Sequence, residues 1–144
     1  MNKIKLSLDL TNPSEFHNLG IELWLDNDKF FDSNPAPGTQ HVVYEFDEDE
    51  KDHSFRIVLK NKLDEHTSID EAGNIVEDVL INVKNISLDE INIDQLVVSH
   101  SEYHHSGNGS YKQQPHKFYG NLGCNGIVML KFSTPVYIWL LENM

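Results

Sequence analysis

Apolar residues recur at every second position along much of this chain. In "KIKLSLDL", Ile4, Leu6, Leu8 and Leu10 alternate with lysine, serine and aspartate. A period of two puts one set of side chains on one face of a strand and the other set on the opposite face. "IELWLDNDKFFD" repeats the pattern with Ile21, Leu23 and Leu25 inward, then the turn-prone Asp26-Asn27-Asp28, then Lys29-Phe30-Phe31. That is a hairpin by composition. "SNPAPGTQ" is a loop, since prolines and a glycine interrupt any regular element. "HVVYEF" is a strand, "DEDEKD" an acidic turn, and "HSFRIVLK" a strand with Phe55, Ile57 and Leu59 on one side.

The second half is less regular. "NKLDEHTSIDEAGNIVED" is polar and carries turn residues around Glu71-Ala72-Gly73-Asn74, so it reads as a short excursion or small hairpin. "VLINVKNISLDEINIDQLVVSH" supplies a strand around Ile81 and Val83, a turn near Asp89-Glu90 and a second apolar run. "NGIVMLKFSTPVYIWLL" reads as two strands broken by Pro135, which cannot donate to a ladder. Read as a strand, the last piece has Val136, Ile138 and Leu140 on one face and Tyr137, Trp139 and Leu141 on the other. With both faces apolar, it would be covered on both sides or lie in a subunit contact. No amphipathic helix longer than a turn or two is evident, and no internal repeat. The expectation is an all-β fold: an antiparallel, jelly-roll-like β-sandwich of eight or nine short strands, residues 1–144 forming a single domain. An immunoglobulin-like sandwich is the second choice, without its disulfide, because Cys124 is the single cysteine.

Composition adds limits. A chain of 144 residues can bury a core without disulfide or metal staples. The amino terminus has no continuous apolar stretch of the signal-peptide kind, so no secretion signal is expected, and no apolar run is long enough for a membrane span. The formal charge is −12 and uneven: residues 1–99 carry 21 acids and 8 bases, net −13, and residues 100–144 carry 2 acids and 3 bases, net +1. An acidic body repels phosphate backbones, which argues against nucleic acid as a partner. The neutral tail suits a neutral partner, a glycan or another protein.

That tail holds "SEYHHSGNGSYKQQPHKFYG", with histidines, tyrosines and a phenylalanine around two glycines and a proline. His100, His104, His105 and His116 suggest a transition metal at first sight. Yet adjacent strand residues point to opposite faces, and the His105-to-His116 spacing fits no compact zinc pattern; solvated histidines are the simpler reading. Asp26, Asn27, Asp28 and Asp32, with Asp70, Glu71 and Asn74, would allow a structural calcium ion at strand ends, although acidic turns also serve solubility. No catalytic motif appears: there is no GxSxG elbow, and Cys124 in "GNLGCNG" has no local sign of thiolate activation. Trp24 has the parity opposite to Ile21, Leu23 and Leu25, so it faces outward, where it could stack on a sugar, fill an interface or lie under a loop. The candidate ligand-binding residues are Trp24, Tyr103, His104, Tyr111, His116 and Tyr119.

"FYGNLGCNGIVMLKFSTPVYIWLLENM" together with "KNKLDEHTSIDEAGNIVEDVLINVKNISLDEI" resembles a set of small uncharacterised proteins of marine tailed bacteriophages and marine metagenomes. The resemblance runs through most of the second half and carries over no site residue. The strand pattern is similar to carbohydrate-binding modules of jelly-roll type, at the level of architecture. The aromatic density, the neutral tail and the lack of a catalytic motif give the expectation of a non-enzymatic binding domain without cofactor, and the phage resemblance implies a virion or the host cytoplasm as its setting. The alternative is an assembly protein forming a homo-oligomer through its C-terminal strands.

Overall fold

The computed structural model describes residues 2–13, 19–34, 38–61, 67–69, 71–72, 75–78, 80–105, 116–123 and 125–144. In chain order the strands are β1 (Lys3–Asn12), β2 (Gly20–Leu25), β3 (Asp28–Ser33), β4 (Gly38–Asp47), β5 (Asp52–Lys60), β6 (Thr67–Ile69), β7 (Ile75–Asp78), β8 (Ile81–Leu88), β9 (Ile91–Asn92), β10 (Glu102–His105), β11 (Asn121–Leu122) and β12 (Gly126–Ser133). Two short helices join them, α1 (Asp94–His100) and α2 (Val136–Asn143).

All pairings among these strands are antiparallel. One sheet runs β11-β8-β1-β4 with β9 beside β8; the other runs β10-β12-β5-β2-β3; β6 and β7 form a separate ribbon. The chain passes repeatedly from one large sheet to the other, and the two enclose one apolar core. The alternating residues of β1, β2 and β5 line it as their parity requires: Ile4, Leu6, Leu8, Leu10, Ile21, Leu23, Leu25, Phe55, Ile57 and Leu59 are all buried. Ring contacts cross between the layers, from Phe46 of β4 to Phe132 of β12 at 5.9 Å and from Phe30 of β3 to Tyr44 of β4 at 4.3 Å. The expected all-β sandwich is therefore the observed fold, with more strands than the alternation suggests because β6, β7, β9 and β11 are very short.

Two apolar segments are helices, the second of which reads as a strand from its sequence. In α1, Leu96 and Val97 are buried. Its Asp94 carboxylate accepts the Ile86 N–H at 2.8 Å and the Asn85 N–H at 3.1 Å, so the helix is tied to β8 by its first residue. In α2, Val136, Trp139 and Leu140 are buried, the i, i+3, i+4 stripe of a helix rather than the alternation of a strand. Pro135 suits the position before the first turn because the helix needs no N–H from it. The Glu48 carboxylate accepts the Val136 N–H at 3.0 Å, satisfying one of the donors a helix start leaves over. The segment read as the last C-terminal strand is therefore not a strand. Residues 136–143 are helical, and β12 already pairs with β5 on one edge and β10 on the other.

Candidate binding site

The histidine that organises one end of the sandwich is not in the ring-rich stretch. His53 opens β5 on the inward parity of Phe55 and Ile57, and its side chain is 7% exposed. An imidazole at a core position needs polar partners, and two turns deliver them. The β2–β3 turn brings Asp26, held at φ 55°, a left-handed conformation that aspartate tolerates. The β4–β5 connection brings Asp49. His53 Nδ1 lies 2.7 Å from Asp26 Oδ2, and Nε2 lies 2.7 Å from Asp49 Oδ1. The other Asp26 oxygen accepts the Ser54 N–H at 2.9 Å, and Asp49 Oδ1 also accepts the Thr134 hydroxyl at 3.0 Å. The three strand ends and the start of α2 are thus knotted through one imidazole.

The electrostatics follow from these contacts. Burial works against the charged form of His53, but the hydrogen bonds to Asp26 and Asp49 outweigh it, and its pKa is raised. Burial likewise pushes the Asp49 carboxyl up, yet the hydrogen bonds from His53 and Thr134 outweigh that and hold it below the usual carboxylate range. A carboxylate on each ring nitrogen favours the charged, doubly donating form of His53, and in that form the ring has no lone pair with which to take a proton from a nucleophile.

Beside this knot opens a cleft of about 510 Å³. Phe132 and Trp139, edge to face at 6.0 Å, make its apolar side. Asp26, Asp52, His53, Ser54, Lys131 and Ser133 make its polar side. The Ser54 hydroxyl is buried and has no hydrogen-bond partner among the described residues. A smaller hollow of about 220 Å³ is lined by His100, Glu102, His104, Met129 and, again, Lys131.

Of the described residues singled out from sequence, Tyr103, His104 and His116 lie together at β10, while Trp24 and Tyr119 stand elsewhere. Trp24 faces outward, as its parity requires, but it is half-buried under protein cations. The Arg56 guanidinium lies 4.9 Å from its ring and the Lys29 ammonium 5.7 Å. Its indole N–H donates to Glu22 at 2.9 Å, and Glu22 in turn pairs with Lys60 at 3.0 Å. Arg56, Met129 and Glu102 follow Trp24 in one cross-strand row, so Trp24 and β10 stand three strand spacings apart, roughly 14 Å. Tyr103 is 1% exposed and belongs to the core, edge-on to Phe118 at 5.9 Å, so its ring offers no platform to a ligand. His104 is exposed and hydrogen-bonds Glu102 at 2.8 Å. His105 points the opposite way into the interior, where the His116 ring stacks on it at 4.8 Å. The Tyr103 N–H donates to the His116 carbonyl and the His116 N–H to that of Tyr103, which returns the chain to the edge of β10. Gly126 makes this packing possible, because a Cβ there would stand 2.2 Å from the His104 carbonyl oxygen. Tyr119 is 72% exposed but borders a different groove, between α1 and β8. Tyr111 and Cys124 lie outside the described residues.

The acidic turns do not form a calcium cage among the described residues. Asp26 serves His53 and Ser54, while Asp32 bridges Lys29 at 2.9 Å and Lys60 at 2.7 Å. No group of three or more histidine, cysteine or acidic side chains placed to hold a metal ion occurs among the described residues. Asp70 and Asn74 lie outside them. No described helix is long and apolar enough to cross a membrane.

Fold and cleft together define a β-sandwich with a mixed aromatic and polar cleft at one end. No protein-family model, no curated protein and no solved structure matches the chain.

Proposed function

We propose that the protein is a non-enzymatic glycan-binding β-sandwich whose site is the cleft beside Trp139. The observation that carries this reading is the cleft lining, where Phe132 and Trp139 stand with Asp52, Ser54 and Lys131, and where the buried Ser54 hydroxyl has no hydrogen-bond partner among the described residues. Buried hydroxyls ordinarily have one, and a sugar hydroxyl offers a donor and an acceptor together. Around Ser54 the cleft supplies what a pyranose uses: ring surface from Phe132 and Trp139, an acceptor at Asp52 and a donor at Lys131. Because Lys131 also borders the hollow at His104, an oligosaccharide can extend from one into the other. The site residues are then Ser54, Asp52, Lys131 and Trp139, with His104 at the far end, rather than Trp24 or Tyr103. The non-enzymatic reading is supported by the two carboxylates that occupy both nitrogens of His53. For a phage chain of the kind the second half resembles, the ligand class would be a host-surface polysaccharide, met by a virion component.

A glycan array followed by titration calorimetry tests the proposal. Ser54→Ala and Asp52→Ala are expected to weaken the best ligand by about tenfold each, the loss of one hydrogen bond. Absence of binding to any neutral or host-surface glycan would overturn it, as would an affinity indifferent to Ser54→Ala but abolished by Trp24→Ala.

A further inference from the structure

The outermost strands of the two large sheets are not alike. β11 has two residues and β10 four, with His116 bridged to β10. β3 carries Lys29, and its pairing with β2 slips between Leu23 and Trp24. Short length, a lysine and a bulge are the devices that keep sheet edges from joining. β4 has none of them. It runs ten residues, "GTQHVVYEFD", with no proline, lysine or arginine, and it pairs with β1 in unbroken register from Asp47 opposite Lys3 to Gly38 opposite Asn12. No strand among the described residues pairs with its other edge.

We propose that two copies of this chain join edge to edge through β4, antiparallel about Val43. Three observations select a second copy and this register. Directly opposed residues in an antiparallel pair share a face, so core-facing Val42, Tyr44 and Phe46 must meet core-facing positions of the other copy, which halves the registers available. Among the rest, setting Val43 opposite Val43 pairs the one exposed large apolar side chain of the strand, 47% exposed, with itself. The same register sets His41 opposite Glu45 on both sides of the two-fold axis, and Asp47 opposite Thr39. The His41 imidazole then faces the Glu45 carboxylate and no two carboxylates face each other, which is the favourable arrangement for cross-strand pairs. Sliding by two residues in one direction sets Glu45 against Val43, and by four sets it against another Glu45.

Each copy carries a formal charge of −12, so association is expected to strengthen with salt as the bodies are screened. The interface lies on the sheet opposite to Ser54, so self-association and glycan binding can fail independently.

Sedimentation and light scattering from about 1 μM to about 1 mM test the proposal, with a reversible monomer–dimer equilibrium expected. Val43→Lys puts like charges face to face and is expected to raise the dissociation constant at least about tenfold, while circular dichroism shows the monomer fold intact. The register has its own readout. In a Cys124→Ser background, Val43→Cys should give a covalent dimer on oxidation, because cross-strand neighbours lie within disulfide reach. Glu45→Cys should not, since position 45 faces position 41. A strict monomer throughout the concentration range overturns the proposal and leaves the edge to a strand from a different protein. A dimer indifferent to Val43→Lys, or equal cross-linking by both cysteine variants, overturns it as well.

Discussion

His53 and His105 are both buried histidines, both on the inward parity of a strand and both packed against rings. His53 has Phe46 and Phe132 at 5.5 Å; His105 has Tyr103 and His116 at 4.8 Å. They titrate in opposite directions. For His53, burial is outweighed by the hydrogen bonds to Asp26 and Asp49, and the pKa rises. For His105, burial comes first, the neighbouring His116 and His104 push the same way, and the pKa falls. Burial alone therefore does not set the charge of an interior histidine. The neighbours supplied by distant parts of the chain do.

The most damaging way to break the comparison is to remove a ring from the His105 side. Tyr103→Ala should cost about 4 kcal/mol, as truncation of a buried aromatic does, at acidic and alkaline pH alike. Urea denaturation at several pH values reads it. On the other side, His53→Ala should cost about 3 kcal/mol at pH near 6, at the low end for a buried ion pair because Asp26 is half in water. That cost should shrink at higher pH. A raised folded-state pKa means that the stabilisation is complete below the unfolded value of about 6.5 and is lost as pH rises through the folded value.

Asp49 sets the opposite limit. Its depressed pKa stabilises the fold above about 3.9, and this is lost as pH falls through the folded value. The His53 knot is thus strongest between those two limits. The sharpest single measurement is an NMR titration of the imidazole protons: His53 should turn over above about pH 6.5 and His105 below it. Turnover at the same pH would remove the distinction. The smallest effect is expected at Trp24, which belongs to neither histidine. Trp24→Leu loses the cation contacts of Arg56 and Lys29, about 1 kcal/mol by thermal unfolding.

Much of the fold was legible from alternation. The inward sets of β1, β2 and β5, the outward face of Trp24 and the opposed faces of His104 and His105 all follow from strand parity. The helices were not. "VYIWLL" is apolar at every position, so a period of two and a period of 3.6 fit it equally. Only the packing of Val136, Trp139 and Leu140 beneath the Glu48 cap decides for the helix. The His53 site left one readable trace: a histidine on the core parity of "HSFRIVLK", directly after an acidic turn and downstream of an acidic hairpin. That trace says a partner is needed without saying which of the acids it is.

By itself, the sequence determined an antiparallel sandwich, because alternation along a strand is a local property that each segment carries alone. The tertiary structure decided which rings stay available and which carboxylates meet an imidazole. Tyr103 became core and Trp24 was covered, while Asp26, 27 residues from His53, came to lie 2.7 Å from it. Such contacts depend on which turns two sheets bring to the same end, and no single segment encodes that.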